Sequence, residues 1–512
     1  MRRYRLPCFF LMLLLLLAGC AKPAPEESPA PSETLPPPST SPAAEAVPFV
    51  LPCYAAASFH PITGGNRTNL TLAGLLYEGL FAVTPDFKAE PVLCSEYTVS
   101  EDGLAWTFTL DASARFSDGS ALAPADVVYS LNLARQSTLY SQRLSEISGV
   151  AAGEGTVTVT LSTANGALPL LLDVPVVRES GDSGRPLGTG PYVLEGEGDD
   201  LTLRGWRADA PLAEIPLLAV TEAGDLIHAF ETRDVSLVTT DFSGTNALGF
   251  SGSFETQDYA TSVFLYIGLN TAQGLCQEEG VRVALQRAFD RSAVSTVLLA
   301  RHAQAAALPV SPVSTLYDHT LGDALAYDAE GAARALEELG WTAGEDGIRV
   351  RSRQRLALDL VVNSDNTTRL AIGERLAEDL EALGIAVTLR SLPWEDYLAA
   401  LEAGDFDLYL GETRMTADFD LTPFLSPEGA LNYGGYADPE AEALLAAFRA
   451  ASGGARGTAG RALYAYLSEH PAFVPLCFKN WSVLTQWGQA EDITPTQQNV
   501  FYGFADWKLN TP

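Results

Sequence analysis

The chain lacks the residue patterns that mark metal centres, redox centres and nucleotide sites. Its six cysteines include no Cys-x-x-Cys pair, and its five histidines include no pair at the spacing of metal ligands. No Walker loop (Gly-x-x-x-x-Gly-Lys) occurs, and no Rossmann glycine fingerprint follows a strand-like segment. We therefore expect no bound metal and no cofactor. The same absences argue against nucleotide-dependent and thiol-redox catalysis.

Positive charge is also scarce. The chain has 32 lysines and arginines against 64 aspartates and glutamates, which gives a formal net charge of -32, and nearly all its basic residues are arginine. An acidic surface of this kind repels nucleic acids and anionic lipid headgroups, so we expect no nucleic-acid partner. The charge keeps the protein soluble, and it would also steer cationic solutes toward the surface.

The first twenty residues have the pattern of an export signal. Three arginines within the first five residues precede an apolar run over 8–17, and Leu-Ala-Gly-Cys then ends at Cys20. The apolar run is too short to span a bilayer as a mature helix. The pattern resembles a bacterial lipoprotein signal that is cut before Cys20, whose thiol would carry the lipid. The alternative is an ordinary secretory signal with a chance cysteine.

The rest of the chain divides into a tether and a folded body. Residues 1–19 are predicted to be the signal peptide, and residues 20–48, rich in Pro, Ser, Ala and Glu, an extended tether that cannot bury a core. The body is long enough for two or three domains. Alternating strands and Asp-Gly turns over 102–161 indicate a mixed α+β unit, and strand–helix alternation after about residue 281 indicates a crossover α/β unit.

Four cysteines remain in the folded body, namely Cys53, Cys94, Cys276 and Cys477. A disulfide is possible in an exported protein. Their spacing does not select a pair.

Several short motifs follow one another along the body in a recognisable order. They are LYEGL (76–80), EPVL (90–93), SEDGLAWTFTL (100–110), FSDGS (116–120), ADVVYSL (125–131), GTGPY (188–192), VRVALQRAFDR (281–291), GIAV (384–387) and GDFDL (404–408). Together they resemble the extracytoplasmic solute-binding proteins of family 5, which hold the peptide- and nickel-binding receptors of ABC importers.

The resemblance implies an α/β fold, a two-lobed periplasmic-binding-protein-like clamp (type II, cluster C) with an extra small α+β domain. Lobe I would comprise residues 49–72, 187–262 and 486–512, the extra domain residues 73–186, and lobe II residues 263–485. The lobes would close on the ligand, and a membrane permease would recognise the closed form.

The function that the resemblance implies is transport and not catalysis. The protein would be a monomeric receptor, lipid-anchored on the extracytoplasmic face of the cell membrane, that binds a peptide and passes it to an ABC permease and ATPase. Because the family also holds nickel, haem and oligosaccharide receptors, another solute is the alternative.

An exported hydrolase is a further alternative. GDSGRP (181–186) imitates the nucleophile loop of trypsin-like proteases around Ser183. His60 and His228 lie in contexts unlike the histidine segment of those proteases, and the many short strands of their double barrel are missing. A glycosidase would need only two opposed carboxylates, but no local motif supports one.

The predicted ligand contacts lie in the loop after the strand-like segment 406–410. In peptide receptors of this family an aspartate of this loop binds the ligand's α-amine. Asp418 is the nearest match and Asp420 its rival, and either could instead be a solvated turn acid. The usual Trp-x-x-Asp-x-x-x-Pro pattern is not kept, because Glu412, Thr413 and Arg414 stand in its place. Arg414 would either clamp a ligand carboxylate or form an internal salt bridge to Glu412 or Asp418.

Aromatic residues and one loop complete the predicted site. The candidate aromatic residues are Tyr54, Trp394, Tyr433 and Trp481. Each would either line the cleft and pack ligand side chains or belong to core and hinge packing. The resemblance also places the loop that contains Asn66 and Arg67 at the cleft.

Overall fold

The computed structural model of the protein describes residues 47–179 and 184–511. The predicted signal peptide, Cys20 and nearly all of the predicted tether lie outside these ranges, as does Ser183 of the protease-like loop. Among the described helices, none combines the length and the apolar character needed to cross a membrane.

The strands of the described residues are β1 (Leu51–Cys53), β2 (Phe81–Val83), β3 (Ala89–Pro91), β4 (Cys94–Val99), β5 (Ala105–Leu110), β6 (Ile147–Ala152), β7 (Thr156–Leu161), β8 (Tyr192–Glu195), β9 (Thr202–Gly205), β10 (Glu214–Ala219), β11 (Leu237–Thr240), β12 (Phe254–Leu269), β13 (Ala303–Ala305), β14 (Thr342–Ala343), β15 (Arg349–Arg351), β16 (Gln354–Arg355), β17 (Ala357–Asn363), β18 (Ala386–Leu392), β19 (Leu408–Arg414), β20 (Phe473–Gln486), β21 (Ala490–Glu491) and β22 (Lys508–Leu509). The α-helices are α1 (Arg67–Leu76), α2 (Pro124–Ala134), α3 (Ala223–Glu231), α4 (Glu279–Leu285), α5 (His319–Ala324), α6 (Ala329–Glu338), α7 (Thr367–Ala382), α8 (Trp394–Glu402), α9 (Thr422–Leu425), α10 (Pro439–Ala450) and α11 (Gly453–Glu469).

An antiparallel sheet in the order β4–β5–β7–β6, the small sheet, contains the strands that were predicted from alternation. Along β5, every second residue (Trp106, Phe108 and Leu110) is buried, because side chains of a strand alternate between its two faces. Helix α2 begins at Pro124 and packs against β6 and β7. Proline suits this position, since the first turn of a helix has no intrahelical partner for its N–H.

A second sheet, the large sheet, has the strand order β11–β20–β12–β19–β17–β18. Strand β17 runs parallel to β18 and β19, and helices α7 and α8 pack against it, which confirms the predicted crossover unit. Residues 263–269 of β12 are all buried, as in strands that are covered on both faces. Helix α6 begins after Asp328, whose carboxylate caps the helix by accepting a hydrogen bond from the backbone N–H of Gly331.

The two longest strands link the large sheet to a third sheet. Strands β12 and β20 pair antiparallel along most of their length, with an irregularity between Ala260 and Phe264. At the far end of this pair, β11 joins β20 and contacts β1, which belongs to a sheet in the order β1–β10–β9–β8. The middle of the β12–β20 pair therefore lies between the two halves of the molecule.

The four described cysteines are buried free thiols, so no disulfide joins them. Burial raises the pKa of Cys53 and Cys94 to about 11 and that of Cys276 and Cys477 to about 12, since a thiolate is poorly solvated away from water. The possibility of a disulfide, left open by the sequence, is not realised at these positions.

This thiol chemistry gives a test of the core. Because the thiolate is the reacting species, we expect iodoacetamide at pH 8 to leave these four cysteines unmodified in the folded protein and to modify all four in guanidinium chloride. Peptide mapping by mass spectrometry measures the modification at each site. Rapid alkylation of any of them under native conditions would contradict the described burial.

Candidate ligand-binding site

Two arginines and a tryptophan meet at the middle of the β12–β20 pair. Trp481 of β20 lies opposite Tyr259 of β12 and meets its ring edge-on, at 6.5 Å between ring centroids. The guanidinium carbons of Arg67 and Arg414 lie 4.8 and 5.4 Å from the centroid of the Trp481 ring, within the range of cation–π contacts. Segments that are far apart in sequence, namely the start of α1, the end of β19 and the centre of β20, therefore converge on one ring.

Local structure fixes the position of Arg67. The Asn66 side chain accepts a hydrogen bond from the backbone N–H of Asn69 and caps α1, so Arg67 is the first residue of this helix. The buried side chain of Asn69 in turn hydrogen-bonds the backbone N–H and carbonyl of Tyr54. Asn66 therefore positions Arg67, and the positive end of the helix dipole lies at the same place.

Arg67 and Arg414 are both exposed residues. Within residues 47–179 and 184–511, neither guanidinium group has a hydrogen-bond acceptor or a carboxylate partner. In particular, the alternative salt bridge from Arg414 to Glu412 or Asp418 is not formed. The pKa of Arg414 is lowered, first because the surrounding protein displaces water and then because Arg143 and Arg67 repel its charge, an effect that the nearby charge of Asp173 partly offsets.

Arg143 is the third member of what we call the arginine cluster (Arg67, Arg143 and Arg414). It lies over the Tyr140 ring at 4.7 Å and forms a 2.8 Å ion pair with Asp173. The cluster thus holds three permanent cations and one paired carboxylate. Such a site attracts anions, in contrast to the acidic chain as a whole.

Glu412 lies on the same strand as Arg414 but is engaged by other cations. Its carboxylate forms ion pairs with Arg369 of α7 at 2.9 Å and with Lys479 of β20 at 3.6 Å. The ammonium of Lys479, whose side chain is 1% exposed, is also 2.8 Å from Asp241, in the loop after β11. This network ties that loop to the large sheet.

Asp418 and Asp420 belong to the loop after β19, and Asp418 contacts Asn165 in the segment after β7 of the small sheet. Asp418 is buried, and its carboxylate accepts hydrogen bonds from the side chains of Asn165, at 3.0 Å, and of Thr416. Asp420 accepts hydrogen bonds from Thr422 and pairs with Arg449 at 3.4 Å. Burial and the nearby charge of Asp418 raise the pKa of Asp420.

The other predicted aromatic residues lie elsewhere. Trp394 is 52% exposed and stacks on Tyr397, at 5.7 Å, at the start of α8. The ring of Tyr433 meets that of Tyr409 edge-on at 5.9 Å, and Tyr54 packs beside α3. In the described part of the chain, no ring contact joins any of the three to Trp481. Of the predicted site residues, only Arg67, Arg414 and Trp481 are thus brought together.

Comparison with known proteins gives the family. The model of the bacterial extracellular solute-binding proteins, family 5 Middle, matches residues 88–431, about two thirds of the chain. The chain belongs to this family.

Individual relatives cover most of the chain. Protein XP55 of Streptomyces lividans is 28% identical over 427 residues, which are 78% of this chain and 78% of the relative. The glutathione-binding protein GsiB of Salmonella choleraesuis is 25% identical over 76% of this chain and 80% of its own. The crystal structure of a nickel ABC transporter from Bacillus halodurans superposes with a TM-score of 0.71 at 20% identity, over 89% of this chain and 98% of the other.

Membership of family 5 confirms the predicted fold class, a mixed α/β clamp of two lobes. Family 5 proteins are solute-binding receptors of ABC importers, and the relative GsiB is named as a binding protein.

Arg143, Tyr140, Asp173 and Lys479 were not identified from the sequence. No local motif surrounds them, and they reach the site only through tertiary packing. The scarcity of lysine and arginine is the one sequence signal that could have drawn attention to Arg143 and Lys479.

The buried network gives a stability prediction. Lys479→Met leaves Asp241 without its cation and weakens the neutralisation of Glu412, so we expect the free energy of unfolding to fall by about 3 kcal/mol, as for other broken buried ion pairs. Urea denaturation measures this change. The control Lys88→Met removes an exposed pair with Asp86 and should cost less than about 1 kcal/mol. Equal, small losses in both variants would show that the buried network does not hold the fold together.

Proposed function

We propose that this protein is a lipid-anchored receptor on the extracytoplasmic face of the cell membrane that binds peptides between its lobes and delivers them to an ABC permease. The signal pattern ending at Cys20 and the Pro-rich tether support the anchor. A lipid anchor would keep the receptor concentrated near a permease in the same membrane. With the predicted boundaries, β12 and β20 cross between lobe I (49–72, 187–262, 486–512) and lobe II (263–485), and the β12–β20 pair acts as the hinge.

The observation that carries the cargo proposal is the pair of guanidinium groups, Arg67 and Arg414, that meet on Trp481 without a carboxylate partner in the described residues. A guanidinium binds a carboxylate through two parallel N–H···O bonds, and every peptide with a free C-terminus carries such a group. The ring of Trp481 offers an apolar face beside them. The name of the relative GsiB, a glutathione-binding protein, adds support because glutathione is a tripeptide.

The opposite end of a peptide carries an ammonium group, and we assign it to Asp418, with Asp420 as the rival. Each Asp418 oxygen already accepts one hydrogen bond from the protein. An ionised carboxylate has about four lone-pair positions, so it can accept further hydrogen bonds from an ammonium group. Glu412 and Asn66 would act indirectly, through the ion pairs around Lys479 and through the position of Arg67. Trp394, Tyr433 and Tyr54 would contact only a ligand that extends beyond the arginine cluster.

A metal chelate is the second candidate, favoured by the likeness to a nickel transporter's structure. Among the described residues, no group of three or more His, Cys, Asp and Glu is arranged to hold a metal ion. A metal would therefore arrive within a carrier molecule whose carboxylates the arginine cluster could bind.

Peptide titrations test the cargo proposal. We expect trialanine to bind and its N-acetyl form to bind at least about tenfold more weakly, because acetylation removes the charged amine. Asp418→Asn should cost about 1.5–3 kcal/mol of binding free energy, the range for a hydrogen bond to a charged group, and should abolish the effect of acetylation. Isothermal titration calorimetry measures both.

Asp420→Asn is the matched variant, and a loss of binding there instead would move the amine contact to Asp420. Equal affinity for free and acetylated peptide would remove both aspartates from this role.

The anchor has its own test. Cys20→Ala removes the thiol to which lipid would be attached, so we expect the variant to lose the lipid mass and to leave the detergent-rich phase in which the unaltered protein partitions. Mass spectrometry of the N-terminal peptide and detergent phase separation measure these effects. An unaltered protein without lipid on Cys20 would favour the ordinary secretory signal.

A further inference from the structure

We infer that the arginine cluster selects ligands that carry two neighbouring carboxylates, such as a peptide whose last residue is aspartate or glutamate. This inference rests on the proposed function in placing a peptide there. It concerns the charge of the ligand's end, which the peptide proposal leaves open.

The arginine cluster carries more positive charge than the carboxylates around it compensate. Three guanidinium groups belong to the cluster, and the described residues supply one carboxylate to it, Asp173, which is 2.8 Å from Arg143. The nearby Asp241 is itself paired with the ammonium of Lys479. Two positive charges, those of Arg67 and Arg414, therefore remain without a protein counter-charge, in a chain with twice as many acidic as basic residues.

The two uncompensated charges, those of Arg67 and Arg414, lie at a single ring, that of Trp481. Arg67 and Arg414 contact the same indole, so their charges lie close together, and the positive end of the α1 dipole adds to them. A guanidinium carries five N–H donors in one plane, in a geometry that matches a carboxylate. No acceptor from the described part of the protein takes these donors.

Closing the lobes around a ligand would raise the energetic cost of leaving these charges uncompensated. Solvent screens unpaired charges in an open cleft, but closure around a ligand removes much of that water. A single carboxylate would compensate only one of the two free charges and would leave the other desolvated and unpaired, which is costly. Two neighbouring carboxylates compensate both, so closure should favour a doubly charged end.

Calorimetry with two isosteric peptides tests this inference. We expect Ala-Ala-Glu to bind about 10- to 100-fold more tightly than Ala-Ala-Gln, and the preference to weaken at higher salt. Arg414→Gln and, separately, Arg67→Gln should reduce the preference to about threefold or less, since each removes one of the two uncompensated charges. The control is Arg355→Gln on β16, which removes an exposed ion pair with Asp346. It should leave the preference unchanged.

Citrate, a small molecule with several carboxylates, separates the two proposals. If both peptides bind with equal affinity, the peptide proposal stands and the selection by charge is overturned. If neither peptide binds but citrate does, and Arg414→Gln abolishes its binding, the two-carboxylate inference stands and the peptide proposal fails. If neither the peptides nor citrate bind, the inference is overturned.

Discussion

The antiparallel pairing of β12 with β20 is the constraint on which the site depends. These two strands link the large sheet to the sheet that contains β1, and they bring Trp481 to the middle of the molecule. Strand β19 pairs with the other edge of β12, so Arg414 lies beside the same region. An irregularity in the pairing, between Ala260 and Phe264, lies next to the residues that Arg414 contacts. If the lobes move about these strands as proposed, the distances between Arg67, Arg414 and Trp481 would change with that motion.

Charge is distributed unevenly around this pair of strands. Lys479 is buried and compensated by Glu412 and Asp241, so it contributes to stability and has no charge left for a ligand. Arg67 and Arg414, by contrast, are exposed residues that no carboxylate of the described protein pairs with. A protein with few basic residues thus uses one of them to tie the loop after β11 to β19 and β20, and it leaves two others without a protein partner among the described residues. This division supports the proposal that an anionic group of the solute is recognised beside Trp481.

Much of the fold could be predicted from the sequence, because the signals are local. Alternation over residues 102–161 predicted the strands β5 and β7, and strand–helix alternation predicted the crossover unit around β17. The site was less accessible. Arg67, Arg414 and Trp481 were each singled out, but their convergence depends on strand pairing across hundreds of residues. The same holds for the hydrogen bond between Asp418 and Asn165, which could not be inferred from the loop that contains Asp418. Asn66 was expected near a ligand, whereas its side chain caps a helix.

A crystal structure of the protein with bound Ala-Ala-Glu tests the central claim most directly. The account predicts a closed clamp in which the peptide lies against Trp481 and its carboxylate oxygens are within hydrogen-bond distance of the guanidinium groups of Arg67 and Arg414. A closed complex in which the peptide binds elsewhere, while both guanidinium groups remain in contact with solvent only, would contradict it.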